Sequence, residues 1–232
     1  MSLRPLLFVG CGGSGGVTLQ YVMDNLRTTL LRAAEAKSAA DGHTYELPRR
    51  VLPMSWQFVH VDVPSSPDGE TPERPPSVPN QGGRYVPLAP SGLTWGQVAD
   101  RVWKTAGKTQ PQQIAGWLRR PGPNDPPLEN GAGQERAVGR GVTLSSLAVL
   151  NDQLSNARGR LQASEGIAEL QYVASLLDAG SITQTPAVFI VSSMAGGSGA
   201  SMVLDVAQVL ARIDPTLAMQ TSMFLYTSQA FS

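Results

Sequence analysis

The sequence predicts an α/β fold, with a Rossmann-like, largely parallel sheet flanked by helices. Three observations carry this reading. Short apolar runs alternate along the chain with stretches of helical spacing. Two of those runs, Leu6–Val9 and Val188–Val191, break directly into glycine-rich turns. Each turn then leads into apolar residues three and four apart, the pattern of a helix with one buried face. Right-handed crossovers put every strand's C-terminal end on one side, so both glycine turns should open onto the same face.

The first strand, Leu6-Leu7-Phe8-Val9, ends in Gly10-Cys11-Gly12-Gly13-Ser14-Gly15-Gly16. Gly10, Gly12 and Gly15 make a G-x-G-x-x-G in the strand–turn–helix setting that motif requires, which says nucleotide or dinucleotide and no more. A helix follows through Leu19, Val22, Met23, Leu26, Leu30 and Ala33. Phe58–Asp62 is the next strand. Asp62 stands at its C-terminal end, where it either contacts a ribose or base or opens the following turn. His60 reads simply as a side chain on that strand. Pro64–Pro90 is rich in Pro, Ser and Gly without any period, and is expected to be a long loop or a disordered insertion.

Leu93–Ala106 is predicted to be a helix with Trp95, Val98, Val102 and Trp103 facing the core. Ile114, Trp117 and Leu118 suggest a further helical turn. The tryptophans read as packing anchors, since no basic stripe accompanies them. A second Pro-rich loop, Pro121–Asn130, leads into Gly131-Ala132-Gly133-Gln134. Leu144, Leu147, Leu150, Leu154, Ala157 and Leu161 then mark a long amphipathic helix, a pattern that runs on through Ile167, Leu170 and Leu177.

The strand at Val188 breaks into Ala195-Gly196-Gly197-Ser198-Gly199, and a helix follows with Val203, Val206, Ala207, Leu210 and Ile213 on one face. Asp214-Pro215 should stop it. Met223–Tyr226 is the last strand. A small-residue turn at a helix N-terminus lets backbone N–H groups approach an anion, and the helix adds roughly half a positive charge there. One such turn is equally well a tight connection with no ligand. Two on one face could converge on a single polyphosphate.

Composition narrows the classes. The 232 residues carry zero formal net charge and only 16% charged side chains, so nothing points to nucleic acid or an anionic membrane. No apolar run reaches membrane-spanning length, and the first ten residues are too short an apolar stretch for a signal peptide. The single Cys11 excludes an internal disulfide and fits a reducing, cytoplasmic setting. No G-x-x-x-x-G-K-[ST] is present, so a P-loop is excluded. No residues are assigned to a metal.

The turn Met194-Ala195-Gly196-Gly197-Ser198-Gly199-Ala200-Ser201 resembles the tubulin/FtsZ superfamily signature, Gly-Gly-Gly-Thr-Gly-Thr-Gly, with the preceding Met of FtsZ-type proteins. Gly10–Gly16 is similar to that family's first glycine loop, and Cys11 sits just before a glycine, as a base-contacting cysteine does in eukaryotic tubulins. Gly131-Ala132-Gly133, followed by Val138-Gly139-Arg140, resembles the FtsZ loop Gly-Ala-Gly-Ala-Asn-Pro-Glu-Val-Gly. In the family this loop reads the γ-phosphate. Leu225–Phe231 looks like the strand and loop after the signature helix. Ala195, Ala200 and Ser201 depart from the signature's glycine, threonine and glycine, while Ser198 keeps a hydroxyl at the first Thr position. Roughly sixty residues separate Gly133 from Met194, more than FtsZ uses, which suggests a divergent bacterial tubulin-like branch.

The resemblance implies a tubulin/FtsZ-type GTPase domain over residues 1–232, incomplete at its C-terminus. The family's guanine-contacting Asn, central helix, catalytic loop and second domain are not recognisable, so the chain reads as the front half of a longer protein. The implied ligands are GTP or GDP with Mg²⁺. Amides of Gly12, Gly13 and Ser14 would lie under the β-phosphate. Those of Gly196, Gly197, Ser198 and Gly199 would complete the cradle, with Gly133 and Gln134 near the γ-phosphate. Gly10, Cys11, Asp62, Ala132 and Ala195 complete the expected site. No catalytic acid is identified, so the chain alone is expected to bind nucleotide without turnover, and to self-associate into an oligomer or filament when complete.

Three alternatives stand beside this one. A non-hydrolysing structural module would use nucleotide only to order an assembly surface. A nicotinamide or ATP-binding Rossmann enzyme would use Gly10–Gly15, but Asp62 lies roughly fifty residues on rather than about twenty. A ubiquitin-activating-like adenylyltransferase should carry Asn-Arg-Gln after its acidic strand end, where this chain has Val63-Pro64-Ser65-Ser66.

Overall fold

The computed structural model describes residues 2–48, 51–123, 125 and 127–227. In chain order the elements are β1 (Ser2–Leu3), β2 (Leu6–Cys11), α1 (Gly12–Asp41), β3 (Trp56–Asp62), β4 (Arg84–Pro87), α2 (Trp95–Val102), α3 (Pro111–Ala115), α4 (Arg136–Ser145) and α5 (Leu147–Leu161). They continue with α6 (Ser164–Leu176), β5 (Ser181–Ile182), β6 (Ala187–Ser193), α7 (Ser198–Ile213), α8 (Pro215–Met219) and β7 (Thr221–Tyr226). Five strands form one parallel sheet in the order β4-β3-β2-β6-β7, and β1 pairs with β5 beside it.

A parallel sheet needs apolar cover on both faces. Leu7, Val9, Val59, Val61, Val188 and Ile190 project to one face, where Val98, Val142, Leu150, Leu154, Val206 and Leu210 of α2, α4, α5 and α7 meet them. Trp56, Phe58 and Phe8 project to the other, against Leu19, Met23 and Leu30 of α1 and Leu170 and Val173 of α6. Phe58, Phe8 and Phe189 stack across β3, β2 and β6 with ring centroids 5.0 Å apart. The fold is therefore the three-layer α/β arrangement that the alternation of strands and helices predicts.

Several elements differ from the sequence reading. β4 lies inside the Pro-rich segment, where three residues between Gly-Gly and Pro87 carry too little pattern to announce a strand. As an edge strand it tolerates Pro87. α4 starts at Arg136, ahead of the first predicted periodic residue, because Val138 and Val142 bury fully while Gly139 and Gly141 weaken the helical signal between them. The predicted long helix is three: it breaks at Ser146, whose hydroxyl donates to the Leu88 carbonyl at 2.7 Å, and again after Leu161.

Trp103 does not face the core. Its N–H still bonds the Ala99 carbonyl in α-helical register, so it lies about 100° round the helix from Val102, and the indole is 46% exposed, against Gly107 of the π-helical turn Trp103–Gly107 that continues α2. α7 stops at Asp214, whose carboxylate accepts the Thr216 N–H at 3.0 Å and so caps α8. Of the stretch Leu225–Phe231, Ser228–Phe231 lie outside the described residues, as do Asn124 and Pro126 of the Pro121–Asn130 loop.

Connections leave β2 toward β3 on one side, while β6 pairs on the other. The crevice at the C-terminal ends of β2 and β6 is the place where such a sheet reverses direction, and α/β sheets bind ligands there.

Candidate functional site

α1 and α7 spring from the ends of the adjacent strands β2 and β6 and direct their N-termini into that crevice. The first N–H groups of any helix lack intrahelical partners. On α2 a capping box of Thr94 and Gln97 covers them and on α8 Asp214 does, whereas α3, α4, α5 and α6 have no side-chain cap. α1 and α7 have neither a side-chain cap nor an acidic residue in the first turn. Each brings about half a positive charge to the crevice.

Three glycine turns hold these ends together, backbone against backbone. Gly12 takes φ +72°, a left-handed conformation, and a β-carbon on it would lie 2.7 Å from the Gly199 nitrogen. One on Gly199 would lie 2.5 Å from the Cys11 carbonyl oxygen. The third turn closes from the other side, because a β-carbon on Gly197 would stand 2.5 Å from the Gly133 oxygen. Gly139, at the start of α4, packs on Gly197 in the same way, and Arg136 donates to the Met194 carbonyl at 2.6 Å. Only glycine permits approaches this close.

Together the turns enclose a cavity of about 570 Å³. Cys11, Gly12, Gly13 and Ser14 line it from the first turn, Gly133 from the third, and Gly196, Gly197, Ser198 and Gly199 from the second. Gly13 and Gly196 differ from their neighbours. A β-carbon on Gly196 would meet nothing within 4 Å, and one on Gly13 only the Asp68 carboxylate at 3.2 Å, so packing does not require glycine at either.

Other expected residues lie off the cavity wall. Gly10 is buried behind the first turn against Gly15, and Ala132 is buried in the core beneath the third. Gln134 and Ala195 are exposed outside the lining. Asp62 is 5% exposed and turned inward. One carboxylate oxygen accepts the Val63 N–H at 2.7 Å and the other lies 3.7 Å from His60 Nε2. It opens the turn after β3.

His60 has a more specific place than a plain strand side chain. Its ring fills the space where a side chain on Gly16 would go, and Nε2–H donates to the Gly12 carbonyl at 3.1 Å. The imidazole thus props the first glycine turn from below. Cys11 is fully buried, and burial first, then the Asp62 charge, pushes its thiol well above the ordinary range.

Residues that the sequence reading missed also line the cavity: Val17, Thr18, Ser193, Tyr226, Asp68 and Arg74. Thr18 was legible, one helical turn beyond Ser14, and Tyr226 ends a parallel strand on the ligand side. Asp68 and Arg74 come from the Pro-rich segment, where no periodicity signals position. Among the described residues, no group of three or more His, Cys, Asp or Glu side chains could hold a metal by itself. Nor is any described helix long and apolar enough to cross a membrane.

A family model described as tubulin-like matches residues 7–232, from β2 through all three glycine turns and beyond. The chain belongs to the tubulin-like family. No curated protein and no solved structure matches it. In this tubulin-like chain, the three segments that resemble the superfamily's glycine loops are the three turns that meet at the cavity.

Proposed function

We propose that the cavity binds a guanine nucleotide with Mg²⁺, and that the protein is a nucleotide-dependent assembly protein of the tubulin/FtsZ type. One observation carries the reading: two uncapped helix N-termini and three glycine turns converge on one cavity. Polyphosphate fits this donor set, because amides supply hydrogen bonds to anionic oxygens without needing a lysine. Gly13 and Gly196 support it further, being glycines where open space rather than packing is served.

In the site, amides of Gly12, Gly13 and Ser14 face the phosphates from α1, and those of Gly196 to Gly199 from α7. The third turn closes the far side with Gly133. Asp68 and the hydroxyls of Ser14 and Ser198 are the oxygen donors suited to Mg²⁺, which when bound offsets phosphate charge. Asp68 is the one acid on the cavity wall among the described residues. The chain alone therefore holds nucleotide without rapid turnover. The dinucleotide alternative loses support from Asp62, which faces His60 and the Val63 amide instead of a ribose.

The test is equilibrium binding of GTP, ATP and NAD⁺ to the purified chain, with and without Mg²⁺. Selective, Mg²⁺-assisted GTP binding is expected. NAD⁺ selectivity, or no binding of any of the three, would overturn the reading. Sedimentation with and without GTP then reads assembly.

A further inference from the structure

The Pro-rich segment Pro64–Pro90 is neither disordered nor a passive loop. Tyr85 Oη donates to the Pro64 and Ser66 carbonyls at 2.7 and 3.0 Å. Glu70 accepts from the Ser77 N–H at 2.9 Å and from Asn80 Nδ2 at 2.7 Å. Gln81 Nε2 donates to the Gln20 carbonyl on α1 at 3.1 Å, and Val78 is fully buried under Phe58. At its start the segment also meets the third turn, with Pro64 against Gly131 and the Ser65 N–H donating to the Glu129 carbonyl at 3.4 Å. The segment is a clasp fastened to α1 on one side and to the third glycine turn on the other.

Arg74 stands between those anchors and lines the cavity. Among the described residues it is the one cationic side chain on the wall, and it forms no ion pair there. The electrostatics of the site call for such a group. Two helix ends supply about one positive charge between them, and Asp68 subtracts one beside the Gly13 backbone. Even with the two charges of Mg²⁺ added, a polyphosphate of about four negative charges is left undercompensated. A guanidinium, always charged and bidentate toward phosphate, is suited to make up the difference.

We propose that Arg74 pairs with the phosphates of the bound nucleotide, so that the Pro-rich clasp reads the charge of the ligand's tail. This rests on the nucleotide reading above. Arg74 is exposed, so its replacement should leave the fold intact, which the thermal midpoint checks.

Binding of Mg·GTP, tripolyphosphate and guanosine is measured for the unaltered chain, Arg74→Ala and Arg74→Lys at two salt concentrations. Arg74→Ala should bind Mg·GTP about 10- to 100-fold more weakly, the loss expected for one charge-assisted hydrogen-bonding group. Arg74→Lys should recover part of that, guanosine binding should not change, and the salt dependence of Arg74→Ala should be shallower. Equal Mg·GTP affinity in Arg74→Ala and the unaltered chain overturns this proposal and leaves the nucleotide reading standing. Equal losses for guanosine and Mg·GTP also overturn it, because they mean a general effect on the site. Failure of the unaltered chain to bind either phosphate ligand removes both proposals.

Discussion

The first and second glycine turns look alike in sequence and serve different demands. In the first, Gly10 and Gly15 are pressed together, Gly12 takes a left-handed conformation over Gly199, and Gly16 makes room for His60. Gly13 alone faces a movable side chain. In the second, Gly197 and Gly199 are wedged against the third and first turns, while Gly196 faces open space. A glycine-rich motif thus mixes residues that let backbones touch with residues that leave a ligand room. The two kinds can be told apart position by position.

That division can be broken by substitution. The largest effect is expected at Gly15→Ala, whose β-carbon would meet the Val191 oxygen at 2.6 Å and the Gly10 carbonyl carbon at 2.8 Å. Backbone on both sides cannot yield cheaply, so denaturant unfolding should show a loss of about 3 kcal/mol. Gly196→Val should do the reverse. Stability should change by no more than about 0.5 kcal/mol, as at an open surface site, while Mg·GTP affinity falls at least about tenfold. Gly197→Val confounds the two, because it strikes the Gly133 backbone. Unchanged nucleotide affinity in Gly196→Val would sink the distinction.

Cys11 gives a smaller contrast between the folded and unfolded chain. Buried and held as the thiol, it should resist iodoacetamide in the native protein at pH 8 and react at an ordinary rate in denaturant. Prompt native labelling would mean that the floor of the first turn opens readily.

The helices behind the turns differ too, since α7 buries a carboxylate, Asp205, where α1 buries no charge. Burial holds that carboxyl above its ordinary value, and Arg140, 3.9 Å away, offsets part of the effect. One of its oxygens has no hydrogen-bond partner. A raised carboxyl favours the protonated fold, so stability is full below the ordinary carboxylate pKa and declines as pH rises through the raised value. Asp205→Asn should therefore stabilise by about 1 kcal/mol at pH 7, a gain that fades toward pH 4. A gain independent of pH would assign it to packing instead.

Four of the five strands of the sheet and both glycine turns were legible because their signals are local. Val188–Val191 followed by Ala195–Gly199 joins a strand, a turn and a helix within a dozen residues. Other features depend on contacts distant in sequence. Arg74 reaches the cavity only because Tyr85, Glu70 and Gln81 fasten an aperiodic segment. Asp62 was read with two options open, and His60, a neighbour two residues away on the same strand, lies on the side to which it turns. In α4, Gly139 and Gly141 were present as signals of close packing, but against Gly197 and Trp95, which sequence alone does not bring near.

The position of β2 also sets a timetable. Of the five strands of the sheet it is the first to be synthesised and the middle one, paired on one side by β3 and on the other by β6. At translation rates of about 5–20 residues per second, β6 follows it by roughly 10–40 s. During that interval the growing chain holds a half-paired apolar strand with the first glycine turn at its tip. Folding of the site thus waits on the ribosome, and a chaperone that shields β2 early would act when the nascent chain is most exposed.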